Sequence, residues 1–183
     1  MILYINACVR GESRTKRLAE YYLDHLGEQY EEVNLAEIHF PLADENFLKK
    51  RDSLIAEKAY GDPLFFLAKQ FAGAERIVIA APYWDMSFPA ALKQYIEQIN
   101  VLGITFEYTP EGTPRGLCRA NELCYVMTAG GVFCPEEYGF GYVKALAEGF
   151  YGIEKVSLIK ATGLDIVGAD VEGIIQEACR RIR

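Results

Sequence analysis

What most constrains this chain is an alternation. Short runs of apolar, β-branched residues recur between longer stretches that carry the 3.6-residue period of an amphipathic helix. The runs near 1–6 (MILYIN), 30–35 (YEEVNL), 75–81 (ERIVIAA), 122–128 (ELCYVMT) and 154–161 (EKVSLIKA) predict strands. The stretches near 14–27, 46–60, 63–73, 89–101, 136–150 and 169–182 predict helices. Continuous apolar strands need both faces covered, and right-handed crossovers between parallel strands place helices on both sides of a sheet. The expected fold is α/β, a doubly wound five-stranded parallel sheet in one domain over residues 1–183. No repeat, low-complexity run or Pro/Gly linker divides it. Two segments depart from the alternation. Residues 36–62 form a long polar, partly helical insertion, and residues 103–118 (GITFEYTPEGTPRGLC) form a Gly/Pro-rich excursion with a short β-like piece, ITFEY. Ordered loops of such length tend to serve a site or an interface.

A net charge of −7 argues against general nucleic-acid binding, which needs clustered Lys and Arg. Small molecules are the expected ligands. The five cysteines (Cys8, Cys118, Cys124, Cys134, Cys179) form no CxxC pair and have no neighbouring histidine, so reduced thiols are expected, with neither a disulfide framework nor a metal site. The start, MILYINACVR, lacks the marks of a secretory signal, and no apolar run reaches the ~18 residues that cross a bilayer. A cytoplasmic protein without a membrane span is expected.

In open α/β sheets, ligands bind beyond the carboxyl ends of the strands, where strand order reverses. That rule singles out loops 7–15, 82–89 and 128–135. In the first, Ser13, Arg14 and Thr15 stand at the start of a helix, where unpaired amides and the positive dipole end favour an anion. Gly11 permits a close turn, and Arg10 or Arg14 adds a guanidinium that suits a phosphate. The loop admits a second reading. Cys8 followed by five residues and Arg14-Thr15 is the C-x5-R-[ST] spacing of tyrosine phosphatases and resembles their low-molecular-weight members, in which the cysteine is a nucleophile. Those enzymes also need an Asp-Pro general acid late in the chain, whereas Asp62-Pro63 lies mid-chain.

The second loop begins APYWDMSFPAALKQYIEQI, with Pro82, Tyr83, Trp84, Asp85 and Met86 between a buried strand and an amphipathic helix. The chain's only Trp, beside a Tyr and a Met at a sheet edge, suits a flat apolar ligand, although packing of Trp84 and Phe88 on the neighbouring helix is the plainer explanation. The third loop, MTAGGVF, ends a strand in small residues that allow close backbone approach to a ligand.

The segments APYWDMSFPAALKQYIE, GITFEYTPEGTPRGL and TAGGVF, in that order after an N-terminal phosphate loop, resemble the flavodoxin-like NAD(P)H:quinone oxidoreductase and FMN-dependent azoreductase family. The likeness runs over most of the chain. It implies a flavodoxin-like strand order of 2-1-3-4-5, FMN as cofactor with FAD as the alternative, NAD(P)H as reductant, and a quinone, azo or nitroaromatic acceptor. It further implies that Arg10, Ser13, Arg14 and Thr15 surround the flavin phosphate. Pro82, Tyr83, Trp84, Asp85 and Met86 would contact the ring and ribityl chain, and Thr128, Ala129, Gly130, Gly131 and Phe133 would border the pyrimidine end. Family members work as homodimers with shared active sites, so the 103–118 excursion is expected to approach a second copy. Where many relatives carry a histidine or tyrosine after the paired glycines, this chain has Val132 and Phe133; the chemistry lies on the flavin and does not require a dedicated acid, with Tyr83 and Tyr138 as the candidate proton donors, and Cys8 and Asp85 stand where serine and asparagine are common. His25 and His39 are expected to lie on the surface without a role. The competing readings are a flavodoxin-like electron carrier and a cysteine phosphatase using Cys8 and Arg14.

Overall fold

The first strand, β1 (Ile2–Asn6), is buried along its whole length, and its residues divide by parity between two cores. Leu3 and Ile5 face the cluster holding Phe71, Leu92, Tyr95 and Val143, whereas Ile2 and Tyr4 face the cluster holding Leu18, Leu23, Ile175 and Ala178. An uninterrupted apolar run demands this arrangement, because side chains alternate across a strand. The computed structural model describes residues 1–182, and the pattern recurs in the strands Arg76–Ala80 and Glu122–Thr128, whereas the edge strands Tyr30–Asn34 and Lys155–Ala161 are largely exposed or only partly buried. The other strands are β2 (Tyr30–Asn34), β3 (Arg76–Ala80), β4 (Phe106–Tyr108), β5 (Pro114–Gly116), β6 (Glu122–Thr128) and β7 (Lys155–Ala161). The helices are α1 (Arg14–Leu26), α2 (Glu45–Ala56), α3 (Phe66–Gly73), α4 (Ala90–Ile99), α5 (Phe140–Leu146) and α6 (Val171–Arg180).

Five strands form one parallel sheet in the order β2-β1-β3-β6-β7. With β4 and β5 left out of the count, this is the expected order 2-1-3-4-5. Helices α1 and α6 pack on one face of the sheet, and α3, α4 and α5 on the other. Helix α1 starts at Ser13, whose hydroxyl accepts from the Lys16 amide at 3.2 Å, and stops at Gly27 in the left-handed region (φ 64°).

The structure differs from expectation at three places. The helix expected over 136–150 starts only at Phe140 and widens into a π turn over Ala147–Tyr151 that closes at Gly152. Gly116 of β5 lies so near the Tyr151–Gly152 backbone that a Cβ there would overlap it. The helix expected over 63–73 opens with a 3-10 turn, Pro63–Phe65, capped by the Asp62 carboxylate. The 103–118 excursion is a complete antiparallel hairpin, β4 paired with β5. Phe106 is buried with its ring 5.0 Å from that of Phe150, so the hairpin is fixed to this chain's own core while Tyr108 stays exposed. Within the polar insertion, α2 has no buried residue, although Leu54 and Ile55 lean on Phe65 and Val101. Among the described residues, no helix is long and apolar enough to cross a membrane.

Candidate active site

Parallel pairing continues past the strand ends. The amide of Ala7 donates to the Ala80 carbonyl at 2.8 Å, Ala81 to Val126 at 3.0 Å, Tyr83 to Thr128 at 2.9 Å and Ala129 to Ala161 at 2.9 Å. These bonds set the loops after β1, β3 and β6 side by side at the carboxyl edge of the sheet, where strand order reverses. A fourth loop, after β7, joins them. There the amides of Gly163, Leu164 and Asp165 donate to the carbonyls of Gly131, Ala129 and Gly130 at 2.9, 3.2 and 2.9 Å.

The four loops enclose a cavity of about 220 Å³. Of the expected site residues, Arg10, Ser13, Arg14, Thr15, Pro82, Tyr83, Trp84, Thr128, Ala129 and Gly130 line it. Asp85, Met86, Gly131, Phe133 and Tyr138 are not among its lining; all five are exposed and lie on the loops around it. Val9, Glu12, Leu164 and Asp165 line it without having been singled out. Leu164 and Asp165 belong to the fourth loop, which follows a strand end like the other three, so the sheet-edge rule applied to every strand would have found it. His25 and His39 are exposed and are not among the lining residues.

The first loop is shaped by Asn6, which is buried, donates to Glu32 at 2.8 Å and accepts from the Cys8 amide at 2.9 Å. Past that turn, the amides of Arg14 and Thr15 belong to the first turn of α1 and have no intrahelical acceptor. The Thr15 hydroxyl is not free for a ligand, because it meets the Thr128 hydroxyl at 2.7 Å in the buried floor. Arg14 is also engaged: its Nη1 donates to Asp165 Oδ1 at 2.7 Å and to the Leu164 carbonyl at 3.3 Å. Arg10 is exposed, with no ion-pair partner among the described residues.

Cys8 turns inward. Its thiol is buried beside the Ala80 carbonyl, 3.9 Å away, and packs in the core with Leu18 and Ala19 rather than lining the cavity. Burial pushes its pKa up, the reverse of what a nucleophilic thiolate requires.

In the second loop, Trp84 and Ser87 exchange backbone hydrogen bonds at 3.1 and 2.7 Å across a two-residue turn. Asp85 (φ 50°) and Met86 (φ 65°) both adopt the left-handed backbone, as the turn's mirror-image geometry demands, although neither is glycine. Such conformations persist where surrounding structure imposes them. Here the Ser87 hydroxyl donates to the Tyr138 carbonyl at 2.8 Å and the Tyr83 hydroxyl to that of Pro135 at 3.1 Å. The turn leaves Trp84 39% exposed at the cavity rim, so its indole is available to a ligand and is not used up in packing. Burial raises the Tyr83 pKa, with a smaller contribution from Cys134.

The profile of the family described as Flavodoxin-like fold matches residues 1–183. The chain is similar to the FMN-dependent NADH:quinone oxidoreductase of Lachnoclostridium phytofermentans, at 34% identity over 185 residues, covering 96% of this chain and 92% of that protein. Among solved structures it is similar to an azoreductase from Bacillus anthracis str. Sterne, with a TM-score of 0.84 and 24% identity over 99% of this chain and 95% of that one. The FMN-dependent NADH-azoreductase from Bacillus anthracis str. Ames Ancestor, solved in complex with FMN, gives a TM-score of 0.79 and 24% identity over 99% and 94% of the two chains. With a profile matched from end to end and a curated relative above 30% identity along nearly its whole length, the chain belongs to the flavodoxin-like fold family.

Proposed function

We propose that this chain is an FMN-dependent NAD(P)H oxidoreductase that reduces quinones, azo compounds or nitroaromatics by ping-pong hydride transfer. The observation that carries the reading is the four-loop cavity, which is lined both by the first turn of α1 with its open amides and by a half-exposed Trp84. The relatives named for FMN, NADH and quinone or azo reduction support the same reading. The donor set suits the FMN phosphate: first-turn amides, the Ser13 hydroxyl proton and the free guanidinium of Arg10. Gly130 lines the cavity without a side chain, with the Asp165 carboxylate beside it. A volume of 220 Å³ takes part of such a ligand, below the ~300–1,000 Å³ of a whole small-molecule site, which leaves a flat ring for the aromatic rim. One anion cradle favours FMN over FAD.

The flavin, when bound, supplies the hydride chemistry that no side chain here can perform. The chain's own part is to hold the phosphate, seat the ring against Pro82 to Met86, and aim the Gly130 and Gly131 amides at developing negative charge. Of the two candidate proton donors, Tyr83 donates to the Pro135 carbonyl, and burial, which raises its pKa, makes it the weaker acid. Tyr138 is exposed beside the same loop.

The protein acts as a cytoplasmic two-fold homodimer in this reading. Val9, Trp84, Met86, Phe133 and Tyr138 expose apolar surface around the rim, which a second copy would cover. Sedimentation should report twice the 20.6 kDa chain mass. The reaction itself is tested by steady-state kinetics with NADH and benzoquinone. Parallel double-reciprocal lines are expected; converging lines, or no turnover by flavin-loaded protein, would refute the proposal.

A further inference from the structure

Two carboxylates line a cavity read here as a phosphate site, and they offset its two arginines: Arg10 and Arg14 against Glu12 and Asp165, for a formal charge of zero. Glu12 has no ion-pair partner among the described residues, whereas Asp165 is held from two sides. Its amide is fixed to the Gly130 carbonyl at 2.9 Å, and its Oδ1 accepts from Arg14 at 2.7 Å. Its carboxylate lies against bare Gly130, where a Cβ would overlap it. Asp165 thus stands astride the gap between the start of α1 and the loop after β6, and it occupies Arg14 with an internal anion.

We infer that Asp165 limits the phosphate affinity of the cavity: it holds the Arg14 guanidinium in an ion pair for which an incoming phosphate must compete, and so keeps the cofactor exchangeable. This rests on the reading of the cavity as an FMN site. Removing the charge releases Arg14 donors and removes repulsion from a dianion. Because the pair is open to solvent, with side chains 42% and 69% exposed, the gain should be about three- to tenfold and should shrink as salt rises.

The test is the dissociation constant of the full chain for FMN and for riboflavin, which lacks the phosphate, measured by flavin fluorescence. The proteins are the unmodified chain, Asp165→Asn, Asp165→Ser and Glu12→Gln. FMN should tighten about three- to tenfold in both Asp165 variants while riboflavin stays unchanged, and Glu12→Gln should do less because it frees no arginine. Unchanged or weaker FMN binding in the Asp165 variants, equal tightening of riboflavin, or an equal effect of Glu12→Gln would overturn the inference. Binding of neither flavin by the unmodified chain would instead overturn the reading of the cavity.

Discussion

The hydroxyls of Thr15 and Thr128 meet at 2.7 Å beneath the cavity, in residues only 1% and 8% exposed. They tie the start of α1 to the end of β6, and each is the other's partner. Replacing Thr15 with Val keeps the shape but leaves a buried hydroxyl on Thr128 unsatisfied, at a cost of about 2 kcal/mol. Thr128→Val does the same in reverse. The double variant removes both polar groups at once and should lose only about 1 kcal/mol, so its loss should fall short of the summed single losses by about 3 kcal/mol. For a chain of this size 1 kcal/mol moves Tm by about 2–4 °C, so each single variant should melt roughly 4–8 °C lower. Thermal and urea unfolding of the three variants, with and without FMN, supply the cycle. The Thr15 amide is untouched, so FMN should still stabilise all of them. Strictly additive losses, or neutral single variants, would refute the idea that this pair holds the floor of the site.

Three further outcomes follow from the structure. Burial raises Cys124 to about 11, and Cys118 and Tyr22 to about 12, while the unfolded chain ionises near 9.0 for the thiols and 10.0 for the phenol. The unfolded state therefore loses protons first, so Tm should hold below about pH 9 and fall steadily above it; a Tm rising with pH in that range would contradict the assignment. Met86→Gly should raise Tm by about 2–4 °C, since glycine relieves about 1 kcal/mol of left-handed backbone strain at an exposed turn; a lower Tm would mean that Met86 contacts outweigh the strain. Cys8→Ser should retain flavin binding and turnover, and iodoacetamide should reach Cys8 only on unfolding; rapid labelling of the native thiol would revive the nucleophile reading.

The sheet was legible because its signal is local. Runs such as ERIVIAA carry their own burial pattern, and the observed strand, Arg76–Ala80, falls inside the expected 75–81. The helix start at Ser13 to Thr15 was equally legible, because the cap that fixes it is local, the Ser13 hydroxyl accepting from the amide three residues on. Where the structure departed, the cause lies far along the chain. Nothing in CPEEYGFGYVKALAEGFYG announces a π turn, which forms where Gly116 of the hairpin presses on Tyr151. The C-x5-R spacing is real, yet which way Cys8 points is decided by Asn6 and the sheet beneath it. Arg14 reads as a phosphate ligand until Asp165, 151 positions later, is placed beside it. An aspartate in a glycine-flanked loop looks like a turn residue in one dimension, and only the β6–β7 pairing brings it to the cavity.

The proposed activity depends on one FMN sitting in the four-loop cavity, against Trp84. It is tested most directly by titrating the chain with FMN while following the fluorescence of its single Trp, then recording the absorption spectrum after gel filtration and again after adding NADH without oxygen. Trp quenching should saturate at one FMN per chain, flavin absorbance should travel with the protein, and NADH should bleach that absorbance. Flavin that separates from the protein with Trp emission unchanged, or bound flavin that NADH leaves oxidised, would contradict the proposed activity.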